Sequence, residues 1–245
     1  MVATVCALTA PAFAQEFGEY DAESYPKQLT KRPLLLAASM FEVRFGGASN
    51  FVADADTDRF NSKIDFSYGL GTRFQVGAES DLAAFPTDEF AVGELGVFAE
   101  YSLVPTISGR FGGFMIAPRD PVADDLSAKF GVRATLPMKF LLGKSMALFA
   151  NSSFALLDGD SYVELPIGLQ LQAFSALAFI VDTGIETRNF EFTDNDTEDT
   201  WNMPFGVGAS LSFTRKIDFT LAFRFTDVAN DTDDRWLLAF FSFRG

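Results

Sequence analysis

The 245 residues include no histidine. That absence removes the usual general base, the commonest metal ligand and the side chain that titrates near neutral pH. What remains for chemistry is carboxylates, amines and guanidiniums. No Asp/Glu pair stands at a spacing that singles it out as an acid/base couple, so catalysis is not expected and no cofactor is called for. The oxygen-rich clusters are Asp54-x-Asp56-x-Asp58, Asp194-x-Asp196-x-Glu198 and Asp231-x-Asp233-Asp234, a donor set of the kind calcium takes. A calcium-binding EF-hand loop also needs Gly at its sixth position and Glu at its twelfth, and counting from Asp54 those are Arg59 and Asp65. Asp54, Asp56, Asp58, Asp194, Asp196 and Glu198 are therefore weak calcium candidates, read first as solvated acidic loops.

A second set of charges recurs at alternate positions among apolar neighbours: Glu42, Arg44, Asp65, Arg73, Glu79, Glu94, Glu100, Arg110, Lys129, Arg133, Glu164, Asp182, Glu186, Asp218 and Arg224. Alternate residues of a strand share one face, so all of these are expected on one surface. Residues 216–225 show it best: Ile217, Phe219, Leu221, Phe223 and Phe225 oppose Asp218, Thr220, Ala222 and Arg224. The same period runs through 203–213 and 163–171. Arg73, Arg110, Lys129 and Arg133 fall on the third, fifth and sixth strands, and Glu164, Asp182 and Glu186 on the eighth and ninth. Such a separation would set a transverse field that orients polar solutes at a constriction. The rival expectation is that the charges pair within a filled interior.

The strands that position these residues are expected near 34–46, 63–70, 73–82, 92–103, 106–117, 127–137, 144–156, 162–173, 176–187, 202–213, 216–226 and 235–244. Their connections alternate between short turns, such as Gly71-Thr72 and Val104-Pro105, and mostly longer acidic loops, such as 47–62 and 188–201. This predicts an all-β fold, an antiparallel transmembrane β-barrel of about 12 strands, with 10 or 14 as the alternatives. Short turns would face the periplasm and the longer acidic loops the exterior. No stretch is apolar for long enough to cross a membrane as a helix. A soluble sandwich would show Lys, Glu and Thr on its outward face, not Phe, Leu and Val on strand after strand. Pro166 and Pro204 fall mid-strand, where each removes a ladder hydrogen bond. They mark a bulge, or a weakening of the wall that could admit a hydrophobic ligand.

Ala12-Phe13-Ala14 before Gln15 is the small-x-small pattern of a secretory cleavage site, so 1–14 is expected to be a signal peptide, with no charged residue ahead of its apolar stretch. The one cysteine, Cys6, lies inside it, leaving the mature chain without thiol chemistry. Residues 15–32 are expected to be a periplasmic N-terminal segment that is disordered, plugs the lumen or docks a partner, and 33–245 the barrel. The net charge of −14 would repel a nucleic acid.

The Ala12-Phe13-Ala14 signal, the alternating strands, the loop asymmetry and turns of the type Gly69-Leu70-Gly71-Thr72-Arg73-Phe74 together resemble bacterial outer-membrane β-barrel proteins. The resemblance is to a superfamily, and it implies a location in the outer membrane among lipid and lipopolysaccharide, whose phosphates the acidic loops would meet at most through divalent bridges. It also implies either of two tasks. One is a narrow channel for a small polar or amphipathic solute. The other is a structural barrel anchoring a cell-envelope complex for adhesion, surface motility or tethering, with periplasmic or outer-membrane proteins as partners. Known barrel enzymes of this kind place a histidine in the active site, and no position here can supply one.

Overall fold

The computed structural model describes residues 20–50, 60–84, 90–116, 128–190, 194–195, 198–199, 201–229 and 234–245. Twelve barrel strands run in chain order: β1 (Phe41–Asn50), β2 (Phe60–Gly69), β3 (Phe74–Ala84), β4 (Phe90–Val104), β5 (Ile107–Ile116), β6 (Lys129–Leu141) and β7 (Met146–Leu157) come first. β8 is Asp160–Glu164 continued by Ile167–Gln172, β9 is Leu177–Thr183 continued by Glu186–Arg188, and β10 is Trp201–Asn202 continued by Phe205–Ser212. β11 (Ile217–Phe225) and β12 (Arg235–Arg244) complete the wall. Each strand pairs antiparallel with its neighbours in sequence, and β12 pairs with β1 from Glu42↔Arg244 to Asn50↔Trp236, so the sheet closes on itself. Pairing the last strand with the first removes the two open edges that a flat sheet would have, as a strand protein in lipid requires.

The register puts one parity inside. Glu42, Arg44 and Gly46 stand opposite Ser67, Asp65 and Lys63, which in turn face Gly77, Glu79 and Asp81. The other parity carries a belt of exposed apolar side chains, among them Val97, Phe111 and Phe130, which are 66%, 64% and 73% exposed. An apolar band of this extent is what lipid covers.

β8, β9 and β10 break at one level, at Leu165-Pro166, Gly184-Ile185 and Met203-Pro204. Proline cannot donate to the ladder. Here the break is bridged by Leu165 N donating to Ile185 O at 2.8 Å and Thr183 Oγ1 donating to Pro204 O at 2.9 Å. Gly184 is required by closeness, since a Cβ there would lie 2.8 Å from the Leu165 carbonyl oxygen.

The first strand differs from expectation. It begins at Phe41, not near 34, because Leu35, Leu36, Ala37 and Met40 are buried at 6%, 7%, 6% and 2% inside the barrel instead of lying in the wall. Lipid would serve these side chains as well as a core does, so apolar character alone does not separate the two placements. Residues 33–40 thus belong with the N-terminal segment, and the described part of 15–32 is folded into the lumen at the short-turn end, with a 3-10 turn at Leu29–Lys31.

Candidate functional site: a plugged lumen

Inside the barrel, large residues lie on glycines of the next strand. Phe98 faces Gly77, Phe114 faces Gly131, Phe149 faces Gly168 and Phe240 faces Gly46. A Cβ at any of these glycines would stand 2.2 to 2.4 Å from the ring. Three of the rings carry a guanidinium: Arg110 lies 4.1 Å from the centroid of Phe98, Arg133 4.6 Å from Phe114 and Arg44 5.6 Å from Phe240. Each of these arginines also binds a carboxylate. Arg110 meets Glu100 at 2.8 Å, Arg133 grips Glu94 with two bonds of 2.8 and 2.9 Å, and Arg44 meets Asp65 at 2.5 Å. Glycine thus makes room for a ring, the ring supports a planar cation, and the cation is neutralised by a carboxylate one or two strands away.

Several of the remaining charges also pair locally. Lys63 stands 3.9, 3.8 and 3.6 Å from Asp65, Glu79 and Asp81, and Arg224 lies 3.0 Å from Glu186. Glu164 accepts from Ser153 Oγ at 2.9 Å, and Glu42 pairs with Arg244. Asp182 lies against Gly206. Lys129 is half exposed at the long-loop end, 2.9 Å from Asp158 in the β7–β8 turn. Arg73 is in the β2–β3 turn and exposed, off the strand face that its parity predicts. Of the arginines expected to oppose Glu164, Asp182 and Glu186 across the barrel, Arg110 pairs with Glu100 on the adjacent strand and Arg133 with Glu94 on the next strand but one. Asp54, Asp56, Asp58 and Asp196 lie outside the described residues, while Asp194 and Glu198 sit in a two-stranded ladder within the β9–β10 connection.

At the short-turn end residues 20–40 fill the bore. The Arg32 guanidinium, 5% exposed, donates to both oxygens of Asp218 at 2.5 and 2.9 Å, to Ser212 Oγ at 3.1 Å and to the carbonyls of Pro26 and Lys27 at 3.0 and 2.9 Å. Lys139 Nζ donates to the carbonyls of Leu29 and Arg32 at 2.7 and 3.1 Å. Two wall glutamines take backbone amides of the segment, Gln172 from Thr30 at 3.3 Å and Gln75 from Leu36 at 2.9 Å. Gln75 in turn donates to Glu100 at 2.9 Å, tying the plug to the Arg110 pair. Tyr25 packs with Leu36, Ala37 and Met40. Burial pushes its phenol up to about 12, so the ring is neutral where it packs.

Between plug and wall lies a cavity of about 420 Å³. Its floor includes Leu29, Arg32 and Leu36, and Arg44, Glu79, Arg110, Asn151 and Gln170 are in its wall. Sequence reasoning missed Arg32, Lys139, Arg244, Gln75 and Gln172 as lumen residues. Lys139 shares the parity of Arg133, and Arg244 that of Asp218's partner Ser242, so extending the alternation to the strand ends would have found both. Arg32 lies in no strand, and nothing periodic marks it.

No protein-family model matches the chain, and no curated protein matches it. Solved structures do match in fold. The NanC porin superposes with a TM-score of 0.56 at 12% identity, covering 83% of this chain and 98% of that one. The KdgM porin in complex with disordered oligogalacturonate gives 0.55 at 8% identity, over 82% and 98% of the two chains. The COG4313 outer-membrane channel from Pseudomonas putida F1 gives 0.56 at 14% identity, over 87% and 97%. The protein is a closed 12-stranded antiparallel β-barrel with the architecture of outer-membrane channels and porins.

Proposed function

We propose that the protein is a narrow channel of a bacterial outer membrane, passing a small polar or amphipathic solute. The observation that carries this reading is the cavity of about 420 Å³ inside a closed barrel, walled by both signs of charge and by amides. Its walls combine fixed charge with aromatic faces, which suits a solute having polar and apolar parts. The architecture shared with porins and channels supports it. Nothing in the paired carboxylates and guanidiniums calls for a reaction, and the reading is of a conduit and not an enzyme. The test is reconstitution of the mature chain in planar bilayers, with and without residues 20–38, and measurement of single-channel conductance. Conductance steps whose ion selectivity moves towards cations on Arg110→Glu and Arg133→Glu are expected.

The second reading, a structural barrel anchoring an envelope complex, draws on the same interior. Phe-on-Gly packing and local ion pairs leave little open bore. A folded barrel that stays silent even without residues 20–38 would favour it.

A further inference from the structure

We infer that residues 20–40 form a gate, latched shut by Arg32 on Asp218, and that release of this latch at the short-turn end opens the lumen. The inference rests on the channel reading above. It starts from the chemistry of the seat. A plug serving only as filler is held at least as well by apolar contacts, because a buried ion pair is at best an even exchange for well-packed apolar groups. Here strand side chains hydrogen-bond the segment at four places, Asp218 and Ser212 under Arg32, Lys139 under two carbonyls, Gln172 under Thr30 and Gln75 under Leu36, and Arg244 lies 5.8 Å from the Tyr25 ring centroid. Water can replace all of these polar partners, and most of the segment's buried apolar side chains, Tyr25, Leu36, Ala37 and Met40, pack on one another.

Asp218 is also prepared for the loss of Arg32. Arg244, on β12, places its own Nη1 at 2.5 Å from the same Oδ2 that Arg32 takes, and Arg244 is itself paired with Glu42. When Arg32 leaves, the 4%-exposed carboxylate keeps a cation in the wall, and the costliest consequence of opening, an unpaired buried charge, is avoided. The wall is thus satisfied in both states, which a two-state element needs.

The segment also has a place to turn. It joins β1 through Ser39, whose φ of 62° lies in the left-handed region that a non-glycine residue rarely adopts. Ser39 N donates to Gly69 O at 2.8 Å, and Gly69 must be glycine because a Cβ there would stand 2.2 Å from the Ala37 carbonyl oxygen. The backbone is therefore pinned to the wall at Ser39, while the segment ahead of it is held by side chains that can exchange for water.

The test uses the full mature protein in bilayers, together with amide hydrogen exchange of the same samples. Arg32→Gln leaves Asp218 with Arg244 and should fold as the parent does. It is expected to raise the open fraction at least tenfold and to raise exchange of the Thr30 and Leu36 amides by a similar factor, with strand amides unchanged. Deletion of 20–38 should give a permanently open pore of the same unitary conductance. Equal open fractions for the parent and the deletion would overturn the gate. A deletion that opens while Arg32→Gln stays shut would overturn the latch. If no variant conducts, the channel reading fails and the gate with it, and protected amides would then mark the segment as structural.

Discussion

Glu100 joins the plug to the lumen wall, and its removal should be felt in both. The side chain is 1% exposed and accepts from Gln75 Nε2 and Arg110 Nε at 2.9 Å each, from Arg110 Nη2 at 2.8 Å and from Ser108 Oγ. Glu100→Ala removes the acceptor from three donor side chains at once. Breaking a buried ion pair by deleting one partner costs about 3–5 kcal/mol. Arg110 remains 27% exposed and keeps its place over Phe98. The lower end, about 3 kcal/mol, is therefore expected, or roughly two decades in the folding equilibrium. The assay is urea titration of the barrel in lipid vesicles, followed by tryptophan fluorescence from Trp201 and Trp236 and by heat-modifiable mobility on gels. Glu100→Leu combined with Arg110→Met should recover most of the loss, because no unpaired charge is then left in the wall. A Glu100→Ala barrel within about 0.5 kcal/mol of the parent would refute the reasoning, since leaving a buried donor unsatisfied alone should exceed that. So would a double variant that loses the sum of the two singles.

Three further outcomes follow from the same geometry. Val97→Arg, on the outward face of β4 at a position 66% exposed, should cost about 2–4 kcal/mol in lipid vesicles, as a cation near the bilayer midplane does; an unchanged urea midpoint would remove Val97 from the lipid face. Gly168→Ala places a methyl 2.2 Å from the Phe149 ring and should destabilise by about 1–3 kcal/mol through overpacking, with an accompanying Phe149→Leu restoring most of it in the same titration. Tyr25 gives the docked segment a pH dependence with a defined sign. Released, the phenol has its ordinary value of 10.0, and docked it is pushed up to about 12 by burial, with Arg244 and Arg32 opposing and Glu42 and Asp218 adding. The docked state therefore holds a proton that the released state gives up, and docking should weaken by about 1.4 kcal/mol per pH unit between pH 10 and 12, with no contribution from this group below pH 10. Hydrogen exchange of the Leu36 amide reads this, and Tyr25→Phe should remove that part of the dependence.

Fold and strand number were legible because period-two alternation is a local property: Ile217, Phe219 and Leu221 against Asp218 and Thr220 need no knowledge of neighbours to declare a two-faced strand. The alternation of short and long connections carried the antiparallel order in the same way. The inner face was readable as a list of charges, since parity assigns Arg44, Asp65, Glu100 and Arg133 without a structure. Their partners were not readable. Whether Arg133 faces Glu164 across the bore or Glu94 on the next strand but one is set by register, a relation between segments far apart in sequence, and the bond to Glu94 at 2.8 Å depends on where two turns place three strands.

Residues 20–40 mark the boundary most clearly. By itself the sequence determined that Leu34, Leu35 and Leu36 must leave water, a requirement of composition. Only the tertiary structure decided that they do so inside the barrel and not in its wall. In a soluble protein a buried run points to one interior, whereas a membrane barrel offers two refuges from water, lipid outside and a filled lumen within. The choice fell to contacts that no local pattern encodes: Arg32 reaching Asp218 186 residues away, and Lys139 taking the carbonyl of Leu29 across 110.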